Sequence, residues 1–304
     1  MAGVTDAPFR DIAIQCGADY GISEMVTSQI ELWSSNKTQA RLKSHFVENP
    51  KIIQITGASP DVIVQAAIAA QGLGAHAVEI NMGCPAKKVC NVLAGSALLR
   101  DEKLVIEILS AAVKAVNIPV YLKTRLGWDH QNKNILDIAR FAEECGIQSL
   151  AIHGRTRSDF YNGSAEYDLI AEVKQRAKIH VFANGDIATP EKAAAVLKLT
   201  LSDGLYIGRG ALGRPWLFQQ IRDYLETGCY QDYNKEFILG HMLRHLSLIH
   251  QHYDGIAGVR FARKHMKWYL QANTNVFSAG ETLFEKFAAL EKTELQINFI
   301  QSLA

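Results

Sequence analysis

A chain of 304 residues, 48% of them hydrophobic, is long enough to bury one large core and a small second one. Its formal net charge of +1 excludes a generally basic nucleic-acid-binding protein but allows a local basic patch. The chain shows neither a cationic, apolar leader nor an apolar run of about 18 residues, so we expect a soluble protein. The scattered cysteines form no CxxC pair, which indicates reduced thiols in a cytoplasmic protein and no structural metal; they are Cys16, Cys84, Cys90, Cys145 and Cys229.

Short apolar segments alternate with amphipathic segments along the first two thirds of the chain. The apolar segments have the length of buried strands, and they cover residues 20–24, 51–56, 77–81, 119–123, 149–153, 180–184 and 204–208. The amphipathic segments have helical spacing, and they cover residues 8–15, 60–73, 102–116, 135–144, 167–175 and 190–199. This order predicts βαβ units and a parallel sheet.

Seven such strands favour a (β/α)8 TIM barrel over residues 1–228, followed by a small all-helical domain over residues 229–304. An open doubly wound sheet is the alternative. The count is one strand short, and residues 1–6 resemble the loop after a first barrel strand. We therefore expect the native protein to have one more strand before Met1, which would add stability and improve ligand binding.

The third predicted strand leads into the turn Asn81-Met82-Gly83-Cys84-Pro85-Ala86-Lys87-Lys88. A thiol between glycine and proline, just past a buried strand, is typical of an accessible cysteine used in acid–base chemistry. A small apolar residue that caps the strand is the alternative, because free cysteines are often buried. Cys84 is the candidate catalytic residue.

Polar residues recur at or just past the carboxyl ends of the predicted strands, which is the face where barrel enzymes assemble their sites. One such residue could be structural, and an ion pair at the sheet end is the alternative for Lys123 and Arg125. Seven at equivalent positions predict a ligand with several polar edges; they are Gln54, Asn81, Lys123, Arg125, His153, Asn184 and Arg209.

The last two strands end in glycine-rich turns, Asn184-Gly185-Asp186 and Gly208-Arg209-Gly210-Ala211-Leu212-Gly213. Glycines let backbone N–H groups approach an anion, and Arg209 adds a charge. Barrels often bind phosphate between these two loops and the N-terminus of a short helix. We expect a phosphate site here, with that helix over residues 211–221.

One face of a predicted helix over residues 257–270 is basic. Charged stripes are usually solvated faces, but phosphate binding is the functional alternative. His265, Trp268 and Tyr269 could stack on bases, although core packing is an equal alternative for Trp268. The cations of the stripe are Arg260, Arg263, Lys264 and Lys267.

Several segments together resemble the tRNA-dihydrouridine synthase family. The resemblance runs from the first residue into the C-terminal helices, where the segment around the basic stripe is similar to the B-type bacterial branch. The motifs are Met-Ala-Gly-Val-Thr-Asp-Ala-Pro-Phe-Arg, Asn-Met-Gly-Cys-Pro-Ala-Lys-Lys-Val, Lys-Thr-Arg-Leu-Gly-Trp, Ile-His-Gly-Arg-Thr-Arg, Ala-Asn-Gly-Asp-Ile, Ile-Gly-Arg-Gly-Ala and Arg-Phe-Ala-Arg-Lys-His-Met-Lys-Trp-Tyr-Leu.

The resemblance implies an FMN-dependent barrel with a C-terminal helical domain, which reduces the C5–C6 double bond of particular uridines in tRNA with electrons from NADPH. It implies that Cys84 is the proton donor and that Asn81 and Arg125 engage the uridine, while the basic stripe, Lys87 and Lys88 meet tRNA phosphates. A D-loop uridine and a monomeric protein are expected. The residues implied to bind FMN are Met1, Gln54, Lys123 and His153 at the ring, and Asn184, Gly185, Asp186, Gly208 and Arg209 at the phosphate.

Two other functions stay open at this point. An FMN barrel oxidoreductase that acts on a free pyrimidine, similar to dihydroorotate dehydrogenase, would share the phosphate loops and a strand-end lysine without needing the basic helix. A flavin-free tRNA-binding protein is the other, because a missing first strand would open the barrel beside the flavin site.

Overall fold

A computed structural model describes residues 1–43 and 50–304. Its seven-stranded parallel sheet runs in sequential order from β1 to β7. A doubly wound sheet would reverse direction at a switch point, so the sequential order confirms the barrel class. The strands are β1 Val26–Thr27, β2 Ile52–Thr56, β3 Ala77–Met82, β4 Val120–Arg125, β5 Ser149–His153, β6 His180–Asn184 and β7 Gly204–Tyr206.

Helices cover the outside of this sheet, and further helices follow it. The first group is α1 Ala7–Gln15, α2 Asn36–Leu42, α3 Pro60–Gly72, α4 Lys87–Cys90, α5 Glu102–Ala115, α6 Ile135–Cys145, α7 Asp168–Arg176, α8 Pro190–Thr200 and α9 Leu217–Thr227. The second group is α10 Lys235–His252, α11 Gly255–Ala272, α12 Gly280–Ala288 and α13 Thr293–Gln301. Short 3-10 helices lie at Ile30–Ser34, Gly95–Arg100 and Arg209–Ala211. Within the described part of the chain, no helix is long and apolar enough to cross a membrane.

The strand register brings the predicted polar residues to one end of the sheet. Asn81 in β3 lies opposite Lys123 in β4. Arg125 lies opposite His153, which in turn lies opposite Asn184. Because parallel strands share a direction, these side chains meet at a single rim.

The first strand differs from its prediction. Residues 20–24 form only an isolated bridge, between Ile22 and Ile52, and regular pairing begins at Val26. The physical reason is Ser23, whose hydroxyl accepts a hydrogen bond from the Gln54 N–H at 2.9 Å in place of a backbone carbonyl. A side chain that takes a ladder position interrupts the strand.

The helix predicted over residues 211–221 is also wrong in its start. A 3-10 turn occupies Arg209–Ala211, and the α-helix begins only at Leu217. Gly213 explains the delay: its φ is +70°, and an added Cβ would lie 2.1 Å from the Trp268 carbonyl oxygen. A helix cannot continue through a left-handed residue packed against another backbone. The predicted phosphate site therefore has a 3-10 turn where a helix N-terminus was expected.

The buried hydrophobic side chains of the described residues form two cores. One lies between the sheet and its helices, and the other lies among the C-terminal helices and includes Ile12 of α1 and Trp216. At their boundary the buried Asp6 caps α1 by accepting from Phe9 N–H, and its Oδ2 lies 3.0 Å from His265 Nε2. Burial alone would raise the pKa of Asp6, but His265 and Lys264 hold it well below its usual range.

Candidate functional site

The loop that carries Cys84 is fixed by its neighbours on both sides. Asn81 Oδ1 accepts from the N–H groups of Gly83 and Cys84 at 3.1 and 2.9 Å. Arg125 Nε donates to the Gly83 carbonyl at 2.7 Å, and Ser96 Oγ donates to the Cys84 carbonyl at 2.8 Å. These bonds leave the half-buried thiol as the free end of a rigid turn.

The electrostatics of this turn keep the Cys84 thiol protonated. Burial raises the pKa of Cys84, and the Ala86 backbone N–H and the Arg125 guanidinium oppose that rise without cancelling it. Lys87 and Lys88 follow the turn in α4 with both side chains exposed. A protonated thiol suits a proton donor and does not suit a nucleophile.

A buried carboxylate, Glu79, organises the floor of the rim. Gln54 Nε2 donates to Glu79 Oε1, and Tyr206 OH donates to Glu79 Oε2 at 3.1 Å. Gln54 Oε1 accepts from Asn81 Nδ2 at 2.9 Å, so both ends of the Gln54 amide are oriented. Burial lowers the pKa of nearby Lys123 to about 8, although the Glu79 charge opposes the shift.

His153 is a neutral imidazole at the end of β5. Burial lowers its pKa to about 2, with the cations Lys123, Arg125, Arg155 and Arg209 adding to the shift. Its Nε2 lies 3.2 Å from a guanidinium nitrogen of the buried Arg155. Because the His153 imidazole is neutral, it can donate and accept hydrogen bonds, but it cannot act as an acid near pH 7.

The Asp186 side chain is paired within the protein, and the phosphate contact that the family resemblance implies for this residue stays a prediction. Its carboxylate makes a two-pronged ion pair with Arg155 at 2.9 and 2.7 Å and accepts from the Ala165 N–H. Partial burial alone would raise the pKa of Asp186, but Arg155 holds it below its usual range. The Asp186 side chain thus supports the loops, and it forms a second, longer ion pair of 3.7 Å with the half-exposed Arg209.

The loops after β6 and β7 approach each other closely. A Cβ on Gly210 would lie 2.0 Å from the Ile187 carbonyl oxygen, and a Cβ on Gly208 would lie 2.8 Å from Met1 Cε. Gly185 has a φ of +125° beside the His153 ring. Asn184 Nδ2 donates to the Tyr206 carbonyl at 2.7 Å and ties the two strands together. The glycines thus let the two loops pack closely at the rim, beside Arg209.

Arg209 and Arg125 flank one aromatic ring at this rim. The Tyr161 ring centroid lies 4.5 Å from Arg209 Cζ and 5.4 Å from Arg125 Cζ. Tyr161 is exposed, and the Arg209 side chain is 48% exposed. The exposed ring marks the mouth of the site between the predicted phosphate and uridine residues.

The basic stripe on α11 divides into two pairs. Arg263 donates to the Leu290 carbonyl at 3.2 Å, and Lys264 donates to the Gly3 carbonyl at 3.1 Å. Arg260 and Lys267 are exposed. His265 and Tyr269 are buried, which rules out the base stacking predicted for them.

Two rim residues escaped prediction from the sequence. Glu79 lies inside an apolar strand, where a single carboxylate in a buried segment was the available signal. Tyr161 lies in the long loop after β5, and nothing in its local sequence sets it apart.

Comparisons with known proteins identify the family of the chain. The family model described as Dihydrouridine synthase (Dus) matches residues 1–303. The tRNA-dihydrouridine synthase B of Pseudomonas putida is 51% identical over 300 residues, covering 97% of this chain and 87% of that protein. Its counterpart in Vibrio cholerae is 48% identical over 298 residues, covering 96% and 92%. A solved variant of NCR from Zymomonas mobilis is similar in fold alone, with a TM-score of 0.50, 17% identity and coverage of 77% of this chain and 84% of that one.

Proposed function

Because this chain belongs to the dihydrouridine synthase family, we propose that it reduces the C5–C6 double bond of specific D-loop uridines in tRNA, using FMN and NADPH. The observation that carries the proposal is the protonated Cys84 thiol on a turn that Asn81 and Arg125 hold by hydrogen bonds. This turn lies at the end of the sheet where the residues predicted to bind the flavin meet. The relatives bear the name tRNA-dihydrouridine synthase B, which supports dihydrouridine formation in tRNA. The protein would act in the cytoplasm, where tRNA is found.

The residues of the rim fit FMN. Arg209 and the glycine turns offer a cation and close backbone approach to a phosphate, and no Cβ fits at Gly208 or Gly210 without displacement. Gln54, already oriented by Glu79 and Asn81, and the Lys123 ammonium suit the polar edge of the isoalloxazine ring. Met1 lies against Gly208, where it would border the flavin.

The chemistry that FMN would supply here is a hydride for C6 of the uracil ring. Cys84 gives its Sγ proton to C5, so that the ring gains one hydride and one proton across the former double bond, and solvent then reprotonates the thiolate. Arg125 and the Lys123 ammonium stabilise the negative charge that develops at C5 and O4. Asn81 holds the Cys84 turn at the same time as it faces the uridine.

Two measurements on the purified full chain test this function. The visible absorption spectrum should show bound flavin, and NADPH oxidation should require tRNA and not a free pyrimidine. Oxidation driven by the free base alone would indicate the dihydroorotate-dehydrogenase-like alternative. Tight tRNA binding without any flavin, even after addition of FMN, would indicate the flavin-free alternative.

FMN binding should depend on the charge of Lys123. We expect the FMN dissociation constant to stay level below pH about 8 and to rise above it, because an ammonium with a lowered pKa loses its proton there. Bound FMN raises that pKa, so the affinity falls by at most about tenfold per pH unit. A fluorescence titration of FMN measures this. In Lys123→Met the dependence in this range should vanish, and an unchanged pH profile in that variant would remove Lys123 from the flavin site.

The exposed cations of α11 should contact tRNA phosphates. Replacing Arg260 and Lys267 together with alanine should raise the apparent KM for tRNA and lower the salt slope of binding by a little under one unit per lost contact. Flavin content should not change, because both side chains lie outside the barrel rim. Replacing the exposed Lys198 on α8 with alanine is the control, and it should leave the KM for tRNA and the salt slope unchanged. If affinity and slope both match the wild type, the stripe is a solvated face.

A further inference from the structure

The turn after Cys84 presents two exposed apolar side chains. Asn91 N–H donates to the Lys87 carbonyl and Leu93 N–H to the Cys90 carbonyl, which makes residues 87–93 one compact helical unit. Val92 and Leu93 at its end are each 63% exposed. We call these two residues the apolar tip.

The apolar tip is held rigidly against the catalytic turn. Ala94 N–H donates to the Val89 carbonyl at 3.2 Å, and Ser96 bonds the Cys84 carbonyl through its N–H as well as its hydroxyl. Cys90 is buried with its sulfur 3.6 Å from the same Cys84 carbonyl oxygen. The position of the tip is thereby tied to that of the Cys84 thiol.

The backbone at Leu93 is strained for the residue that occupies it. Its φ is +55°, a left-handed conformation that leucine rarely adopts. An exposed leucine in this conformation gains no burial in the free protein to offset the strain. Leu201, away from the rim, has a similar φ of +51°, so it is the position of Leu93 beside the Cys84 turn, together with the strain, that indicates a function.

The surroundings of the tip are basic. Between Asn81 and Arg100 the chain contains Lys87, Lys88 and Arg100 and no Asp or Glu. Lys87 and Lys88 are exposed on the same helical unit as the tip. The apolar tip can contact accessible nucleic-acid bases while the surrounding cations contact the phosphates, so this surface is complementary to a nucleic acid with exposed bases.

We propose that Val92 and Leu93 form a wedge that packs against the tRNA bases next to the extruded uridine. This inference rests on the proposed function. A uridine that meets Cys84 must leave its stack, and the unstacking costs free energy. Apolar side chains inserted at a base step replace the lost stacking contacts. The wedge therefore stabilises the open form of the D-loop while the uridine occupies the site.

Leu93→Asn tests the wedge without threatening the fold, because asparagine tolerates a left-handed backbone. Leu201→Asn is a matched control: Leu201 has a φ of +51° and is 66% exposed, but it caps the C-terminal end of α8, away from the rim. With a folded tRNA transcript, Leu93→Asn should lower kcat/KM at least about tenfold. Leu201→Asn should match the wild type, and Val92→Ser should show a smaller loss than Leu93→Asn.

Three further properties of the Leu93→Asn variant are measured beside kcat/KM. FMN content, flavin reduction by NADPH and the salt slope of tRNA binding should not change in Leu93→Asn, because no phosphate contact is lost. The wedge would be overturned by a wild-type kcat/KM in Leu93→Asn, by an equal loss in Leu201→Asn, or by a flattened salt slope in Leu93→Asn. The first of these results would indicate that the apolar tip binds a protein partner instead of tRNA. Failure of the proposed function is distinct, since the wild type itself would then form no dihydrouridine.

Discussion

Replacing Cys84 with alanine should slow dihydrouridine formation by about 100-fold or more, while FMN content and flavin reduction by NADPH stay at wild-type levels. The reason is that the thiol holds the proton for C5, whereas the contacts we assign to the flavin belong to other residues. Burial raises the pKa of this thiol and so keeps it protonated near pH 7. A single-turnover assay with prereduced enzyme and tRNA isolates this step.

Cys229→Ala is the matched control, because Cys229 is an exposed free thiol between α9 and α10. It should have wild-type turnover. Wild-type turnover in Cys84→Ala would end the proton-donor assignment. Loss of flavin in the same variant would instead place Cys84 among the residues that hold the cofactor.

Replacing Arg209 with alanine should weaken FMN binding by about one to two orders of magnitude. A charge-assisted hydrogen bond contributes roughly 1.5–3 kcal/mol, and Arg209 lies beside the glycine turns with a side chain that is 48% exposed. Asp186 makes its short contacts with Arg155, and its ion pair with Arg209 is longer, at 3.7 Å. Equilibrium titration with FMN measures the effect.

Uridine reduction should recover when the Arg209→Ala variant is saturated with FMN, because this residue meets the phosphate end of the cofactor and not the reacting ring. Arg209→Lys should keep part of the affinity through its charge. Arg176→Ala removes an exposed cation on α7 and should bind FMN as the wild type does. If Arg209→Ala has unchanged affinity, or stays inactive at saturation, Arg209 belongs to another part of the site.

The sequence predicts the barrel well where hydrophobic pattern alone decides the structure. Six of the strands lie where short apolar runs end in polar residues, because a buried parallel strand must be apolar along its length. The first strand and the start of the helix predicted over residues 211–221 were wrong, and each error comes from a single contact that hydrophobic periodicity does not reveal. Ser23 replaces a ladder hydrogen bond with its side chain, and Gly213 packs on a carbonyl of α11 that is distant in sequence.

The candidate site divides in the same way. Motifs carried the family resemblance, which the family match over residues 1–303 confirms. They also made Cys84 the candidate catalytic residue, which stays a prediction. Glu79 and the role of Asp186 depend on partners from other strands and loops, so only the assembled structure exposes them. The basic stripe was visible as a pattern, but which of its cations bond the protein itself depends on where α11 packs.

Mass spectrometry of tRNA from cells that lack this gene tests the central claim most directly. We predict that one or more D-loop positions carry uridine in place of dihydrouridine in the deletion strain, a mass difference of two hydrogens. The wild-type gene should restore dihydrouridine at these positions, and the Cys84→Ala gene should not. Unchanged dihydrouridine at every D-loop position in the deletion strain, in the absence of a second enzyme of the same family, would contradict it.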